Sequence, residues 1–241
     1  MSLPLIYCSI DTIDIARAKE LAAAMREAGC GIKLGLEFFN AHGPQGVREI
    51  RASCPDLSLF IDLKYHDIPN TVAGAMRAIS PLAPDFVNVH ASGGLEMMQK
   101  AREALREGSR KAGVKTPQIL GVTILTSLDE AGLAQAGFKP DLGDRVVQLA
   151  QLTKQAGLSG IVCSAHEIEV VRAACGPAFA LMVPGVRPEG SETHDQKRVM
   201  TPLQAVQKGA THLVIGRPIT QADDPASAAA AILGTISQRA A

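Results

Sequence analysis

Two carboxylates and a lysine lie within the six-residue segment Asp62-Leu63-Lys64-Tyr65-His66-Asp67. Asp62 and Lys64 are two positions apart, so on an extended strand both side chains leave by the same face. Leu59, Ile61 and Leu63 around them are apolar. A charged pair in such company carries a desolvation cost unless the charges compensate each other. The set can keep a lysine charged while leaving a carboxylate aimed at a substrate. The structural alternative is an ion pair closing one end of the fold, with Asp67 as the N-cap of a helix that begins at Pro69.

A second stretch has the makings of an anion site. Pro184-Gly185-Val186-Arg187-Pro188 runs on to Gln196, and Ile215-Gly216-Arg217-Pro218 follows further along the chain. Glycines let the backbone approach an anion, and Arg217 at the start of a helical turn offers a fork for phosphate oxygens. Residues Gly185–Thr193 are rich in Gly, Pro, Ser and Thr, the composition of a mobile lid or of an ordinary solvated loop. Other signals are weaker. His42, His166 and His194 read as surface residues, and His90 as either a group behind a site or a hydrogen-bonded core histidine. No compact His/Asp/Glu set suggests a metal.

These residues need a scaffold, and the chain repeats one. Eight short aliphatic runs, each bounded by Gly, Pro, Asp or Ser, have the character of strands buried on both faces. They are Leu5–Ile10, Gly31–Gly35, Leu57–Leu63, Phe86–His90, Gln118–Ile124, Gly160–Cys163, Phe179–Val183 and His212–Ile215. Amphipathic stretches lie between them. Glu96 to Glu107 has Glu96 and Lys100 at i, i+4, Leu142 to Ala156 keeps a helical apolar period, and Ala226–Ile236 closes the chain. A strand–helix unit every ~30 residues, eight times over, predicts an α/β fold closed into one (β/α)₈ TIM barrel. No composition shift divides the chain, so residues 1–241 read as one domain. An open doubly wound sheet is the alternative, but no G-x-G-x-x-G follows the first strand. Barrel enzymes carry their chemistry at the C-terminal strand ends. That rule selects Asp11, Lys33, Asp62, Lys64, Asp67, Asn88, His90, Thr126, Ser127, Arg187 and Arg217.

Composition narrows the partners. The 241 residues carry 24 Lys+Arg against 24 Asp+Glu, a net charge of zero. That balance argues against nucleic acid, whose non-specific binding needs excess cations. With no Trp, two Tyr and six Phe, neither a base-stacking platform nor an aromatic membrane belt is expected. No apolar run approaches the ~18 residues of a membrane span, and the N-terminus has no signal-peptide pattern. The five cysteines are scattered without C-x-x-C spacing, as small hydrophobes in a reducing cytoplasm would be.

Taken in order, several segments resemble one family. Asp62-Leu63-Lys64-Tyr65-His66-Asp67-Ile68-Pro69-Asn70-Thr71, Asn88-Val89-His90-Ala91-Ser92-Gly93-Gly94 and Leu125-Thr126-Ser127 look like orotidine 5′-phosphate decarboxylases of the bacterial branch. So do Pro184-Gly185-Val186-Arg187-Pro188 and Val214-Ile215-Gly216-Arg217-Pro218, and the matches span nearly the whole chain. The Asp-x-Lys-x-x-Asp triplet is shared by a wider superfamily, whereas its combination with Thr126-Ser127, Gln196 and Gly216-Arg217 is much more specific. The resemblance implies cofactor-independent decarboxylation of orotidine 5′-phosphate to UMP and CO₂, in pyrimidine synthesis. Lys64 matches the lysine that protonates C6, and Asp62 the carboxylate facing the substrate carboxyl. Lys33 and Asp67 match the rest of a Lys-Asp-Lys-Asp network, in which the last Asp comes from the partner subunit of a homodimer. Asp11 matches a ribose contact, Thr71 a substrate contact nearby, and Thr126 and Ser127 the pyrimidine-recognition turn. Arg187, Gln196, Gly216 and Arg217 match the phosphate and lid contacts. One departure is Cys8-Ser9-Ile10 before Asp11, where the family more often has small apolar residues.

Two rival readings remain open on the residues alone. Metal-dependent relatives acting on sugar phosphates, such as hexulose-phosphate synthases, share the triplet but lack the pyrimidine turn. A non-catalytic nucleotide-binding barrel is the other, although a sensor has no need of a costly buried charge network.

Overall fold

The structure, a computed structural model, describes residues 3–139, 141–188 and 200–239. The eight apolar runs are all strands: β1 (Ile6–Ile10), β2 (Gly31–Leu34), β3 (Leu59–Tyr65) and β4 (Phe86–His90) form one half. The other half is β5 (Gln118–Val122), β6 (Gly160–Val162), β7 (Ala180–Pro184) and β8 (His212–Ile215). Each pairs in parallel with the next, and β1 pairs with β8 to close the barrel. The expected helices are present as Gly94–Ala112, Leu142–Gln155 and Pro225–Arg239. Lys100, however, reaches Glu103 at 3.8 Å rather than Glu96.

The strand period of two sorts the side chains into two cores. Outward positions such as Ile10, Ile32, Ile61 and Val87 pack on the helices, where Met97 and Met98 are also fully buried. Inward positions Tyr7, Phe60, Phe86, Leu120, Met182 and Val214 form a separate cluster inside the barrel. Tyr7 and Phe86 meet edge-to-face with centroids 5.6 Å apart, as do Phe60 and Phe86 at 6.2 Å, the arrangement aromatic quadrupoles favour. Gly31 is required beside them, because a Cβ there would lie 2.6 Å from the Tyr7 ring.

One step of two residues toward the C-terminal ends changes the chemistry. On β1–β4 the inward series runs Tyr7 to Ser9, Gly31 to Lys33, Phe60 to Asp62 and Phe86 to Asn88, and all four upper residues are buried. On β5, β6 and β7 the same step leads to Val122, Val162 and Pro184, none of them ionisable. An apolar plug therefore fills the barrel floor, and the buried charged side chains of the strands stand above it on β2 and β3.

Candidate active site

At that mouth the carboxylate of Asp62 holds two ammonium groups. Lys64 Nζ donates to Asp62 Oδ1 at 2.8 Å, and Lys33 Nζ lies 3.3 Å from Oδ2. Lys33 also approaches Asp11 Oδ1 at 3.5 Å, and Ser9 Oγ donates to Asp11 Oδ2 at 2.7 Å. The strand ends of β1, β2 and β3 thus bring Asp11, Lys33, Asp62 and Lys64 into one chain of alternating charge. Gly35 leaves room for it, since a Cβ there would stand 3.0 Å from Lys33 Nζ.

Exposure divides the roles these groups can play. The side chains of Lys33 and Asp62 are each 10% exposed, that of Lys64 30% and that of Asp11 55%. Burial pushes the Asp62 carboxyl up, but Lys33, Lys64 and the hydrogen bonds from Lys64 and Asn88 outweigh it and hold the group below the usual carboxylate range. Unit charges ~3.3 Å apart attract by ~5 kcal/mol at an effective dielectric near 20, comparable to the several kcal/mol of desolvation per buried ion. The network is therefore nearly neutral in stability. What it secures is position.

Lys64 is held in an unusual backbone conformation, with φ of 47°. The left-handed region costs an L residue ~1–2 kcal/mol. The β3–β4 register shifts there: Ile61 pairs with Val87 and the next pair is Tyr65 with Val89. Expecting Asp62 and Lys64 on one regular strand was therefore right for where the two side chains meet but not for the backbone, which bulges between them.

Asp67 behaves differently. It is exposed, its Oδ1 accepts from the Ile68 N–H at 2.6 Å, and it joins neither lysine of its own chain. Nor is it the N-cap of the helix Pro69–Ile79; Ile68 is, without a side-chain cap bond. Extended backbone at Ile68 (φ −58°, ψ 152°) sets Asp67 one residue too far back. Thr71 is exposed in the first turn of that helix, and Thr126 and Ser127 are exposed in the turn after β5, where Leu128 N–H donates to Leu125 C=O at 2.9 Å. These groups share the mouth without touching the charged chain.

Two guanidiniums stand at the ends of β7 and β8. Burial and the nearby Arg217 together lower the affinity of Arg187 for its proton. Arg217 is exposed and begins a four-residue helical turn whose N-cap is Gly216, packed on Ser9. Gln196 and most of the expected lid lie outside the described residues. His90 is half-buried with its ring 5.2 Å from that of His66, and burial, His66 and Lys64 outweigh Asp62 to lower its pKa.

A family model described as orotidine 5′-phosphate decarboxylase / HUMPS matches residues 4–232. The chain belongs to that family. It is 52% identical over 232 residues to a protein named orotidine 5′-phosphate decarboxylase from Rhodospirillum rubrum, covering 96% of this chain and 93% of the relative. A protein of the same name from Paramagnetospirillum magneticum is 49% identical over 227 residues, covering 94% and 96%. The crystal structure of orotidine 5′-phosphate decarboxylase from Lactobacillus acidophilus superposes with a TM-score of 0.85 at 30% identity, covering 98% of this chain and 99% of that one.

The strand-end rule picked out Asn88 without giving it a function and passed over Ser9, although the signal for both was available. Ser9 and Asn88 follow the inward aromatics Tyr7 and Phe86 by two positions, as Asp62 follows Phe60.

Proposed function

We propose that the protein decarboxylates orotidine 5′-phosphate to UMP and CO₂ without a cofactor, as a step of pyrimidine synthesis. The observation that carries this reading is a single buried carboxylate flanked by two ammonium groups at the open end of a barrel whose floor is sealed. Breaking the bond from C6 to the carboxylate releases CO₂ and leaves an electron pair at C6, in the ring plane and outside the π system. The Lys64 ammonium stabilises that charge and then delivers a proton to C6. Its amine recovers the proton from water.

Asp62 faces the substrate carboxylate in this reading, and the magnitude of their repulsion can be bounded. Like charges ~4 Å apart at an effective dielectric near 20 repel by ~4 kcal/mol. Enzymatic accelerations need ~8–23 kcal/mol. Repulsion is therefore not the main contributor, and stabilisation of the carbanion by Lys64, with Ser127 and Thr126 holding the pyrimidine edge, supplies more. Arg187, Gln196, Gly216 and Arg217 hold the phosphate, and Asp11 and Thr71 the ribose end.

The fourth charged member, Asp67, acts across a homodimer. Ile13, Leu36 and Ile68 follow the ends of β1, β2 and β3 and are 65%, 51% and 67% exposed. Exposed apolar side chains after three neighbouring strands, with an Asp67 that neither Lys33 nor Lys64 of its own chain holds, fit a self-complementary interface. A cytoplasmic location fits the five free, buried cysteines, with burial pushing the Cys8 thiol up to about 12 and out of reactive range. Among the described residues no helix is long and apolar enough to cross a membrane.

The decisive experiment follows the absorbance of orotidylate with EDTA present. Undiminished turnover is expected. Turnover abolished by the chelator would move the chain to its metal-dependent relatives, and nucleotide binding without turnover would make it a binding module.

A further inference from the structure

Asn88 is fully buried inside the barrel, and its amide is used at both ends. Nδ2 donates to Asp62 Oδ1 at 2.7 Å, the same oxygen that takes the Lys64 ammonium. Oδ1 accepts from the backbone N–H of Lys64 at 2.8 Å. Between the pairs Ile61–Val87 and Tyr65–Val89, three residues of β3 stand opposite Asn88 alone. The Lys64 N–H thus bonds to a side chain from β4 in place of a β4 carbonyl.

We infer that Asn88 is the positioning residue of the site: one side-chain amide fixes the backbone from which Lys64 springs and the carboxylate to which its ammonium returns. A primary amide suits this task because it accepts and donates at once from a rigid plane. An ionised Asp could accept from the N–H but would face Asp62 with a like charge, and an Ala would leave the N–H and Oδ1 each short of a partner. Asn88 itself touches no reacting atom. Its effect reaches catalysis through Lys64, so the inference rests on Lys64 being the proton donor.

Two readouts separate the positioning role from general loosening and from failure of the proposed reaction. The first is kcat and KM for orotidine 5′-phosphate in Asn88→Ala and the isosteric Asn88→Asp. Loss of a hydrogen bond to a charged group predicts a fall in kcat of about 10- to 100-fold with KM little changed. The second is the carboxyl titration of Asp62 by carbon-13 NMR without substrate, assigned through Asp62→Asn. Around that carboxyl stand Lys33 from β2, with Asp11 behind it, Lys64 on its own strand, and Asn88 and His90 from β4. Removing the Asn88 donor predicts a higher titration midpoint in Asn88→Ala, and a still higher one in Asn88→Asp. If the alanine variant does not fold, the isosteric one carries both measurements. An unmoved Asp62 midpoint in a folded variant overturns the inference whatever the rates, as does a kcat within about twofold of wild type. Should the wild type fail to decarboxylate orotidylate, the proposed reaction falls, and the midpoint alone decides whether Asn88 holds Asp62.

Discussion

At the ends of β1–β4 two lysines share one buried carboxylate, whereas at the ends of β7 and β8 two guanidiniums repel each other with no carboxylate paired to either among the described residues. The first cluster balances its charges within the chain before any ligand arrives. Its groups are held within 3.5 Å of their neighbours, which removes reorganisation from the chemical step. The second cluster is incomplete and gains most when an anion arrives between its members. Binding energy collected there, remote from the reacting carbon, can be spent on closing the site. A neutral chain thus carries a balanced half and a cationic half, which in the proposed reading serve chemistry and capture.

The largest expected effect tests the balanced half. Lys64→Ala should show no measurable decarboxylation while isothermal titration still detects UMP binding. Retained turnover would place the proton donor elsewhere. Next comes the part of that half that the single chain lacks. Asp67→Ala should lose most activity, yet mixing it with Lys64→Ala should restore about a quarter of the wild-type rate, because mixed two-fold dimers carry one intact site. No recovery on mixing, with dimers verified by sedimentation, would place Asp67 in its own chain's site.

The cationic half predicts a smaller and different loss. Arg217→Ala should lower kcat/KM by at least ~100-fold, the scale of one charge-assisted anchor. With orotidine, which lacks the phosphate, wild type and variant should turn over alike. A persisting gap on orotidine would mean that Arg217 serves the chemistry directly, and the contrast between the halves would fail.

Much of this arrangement was legible because barrel strands are short apolar runs with charge at one end. β4 and β8 run over the same residues that the pattern of hydrophobicity indicates, and the remaining strands differ by one or two residues at one end or, for β3 and β7, at both. What could not be read is the bulge in β3. Leu59 to Tyr65 reads as an ordinary buried strand, and nothing about lysine favours positive φ; that conformation exists because Asn88 reaches across from β4. Asp67 misled for a local reason. An Asp shortly before a Pro has the spacing of an N-cap, but the residue before proline is driven into extended backbone, and here that makes Ile68 the cap. Local rules read the elements, whereas a long-range hydrogen bond from Asn88 sets the backbone at Lys64.

The smallest effect concerns stability and again separates the halves. Lys33 and Lys64, with Asn88, hold the Asp62 carboxyl below the usual range despite its burial, so the folded protein binds a proton there less readily than the unfolded chain. Stability from this group is fully present above its unfolded pKa of about 4 and is lost as pH falls through the lower folded value. Urea unfolding of wild type and Asp62→Asn should therefore converge on acidification, by at most ~1.4 kcal/mol per pH unit for one proton. Glu49, Glu107 and Asp224, whose carboxyls are also held below the usual range, are present in both proteins and cancel in the difference. Arg217→Ala, which removes a cation that no carboxylate among the described residues holds, should run parallel to wild type over the same range. Convergence of that pair as well would show that the guanidiniums, too, were balanced by a carboxylate before any ligand arrived.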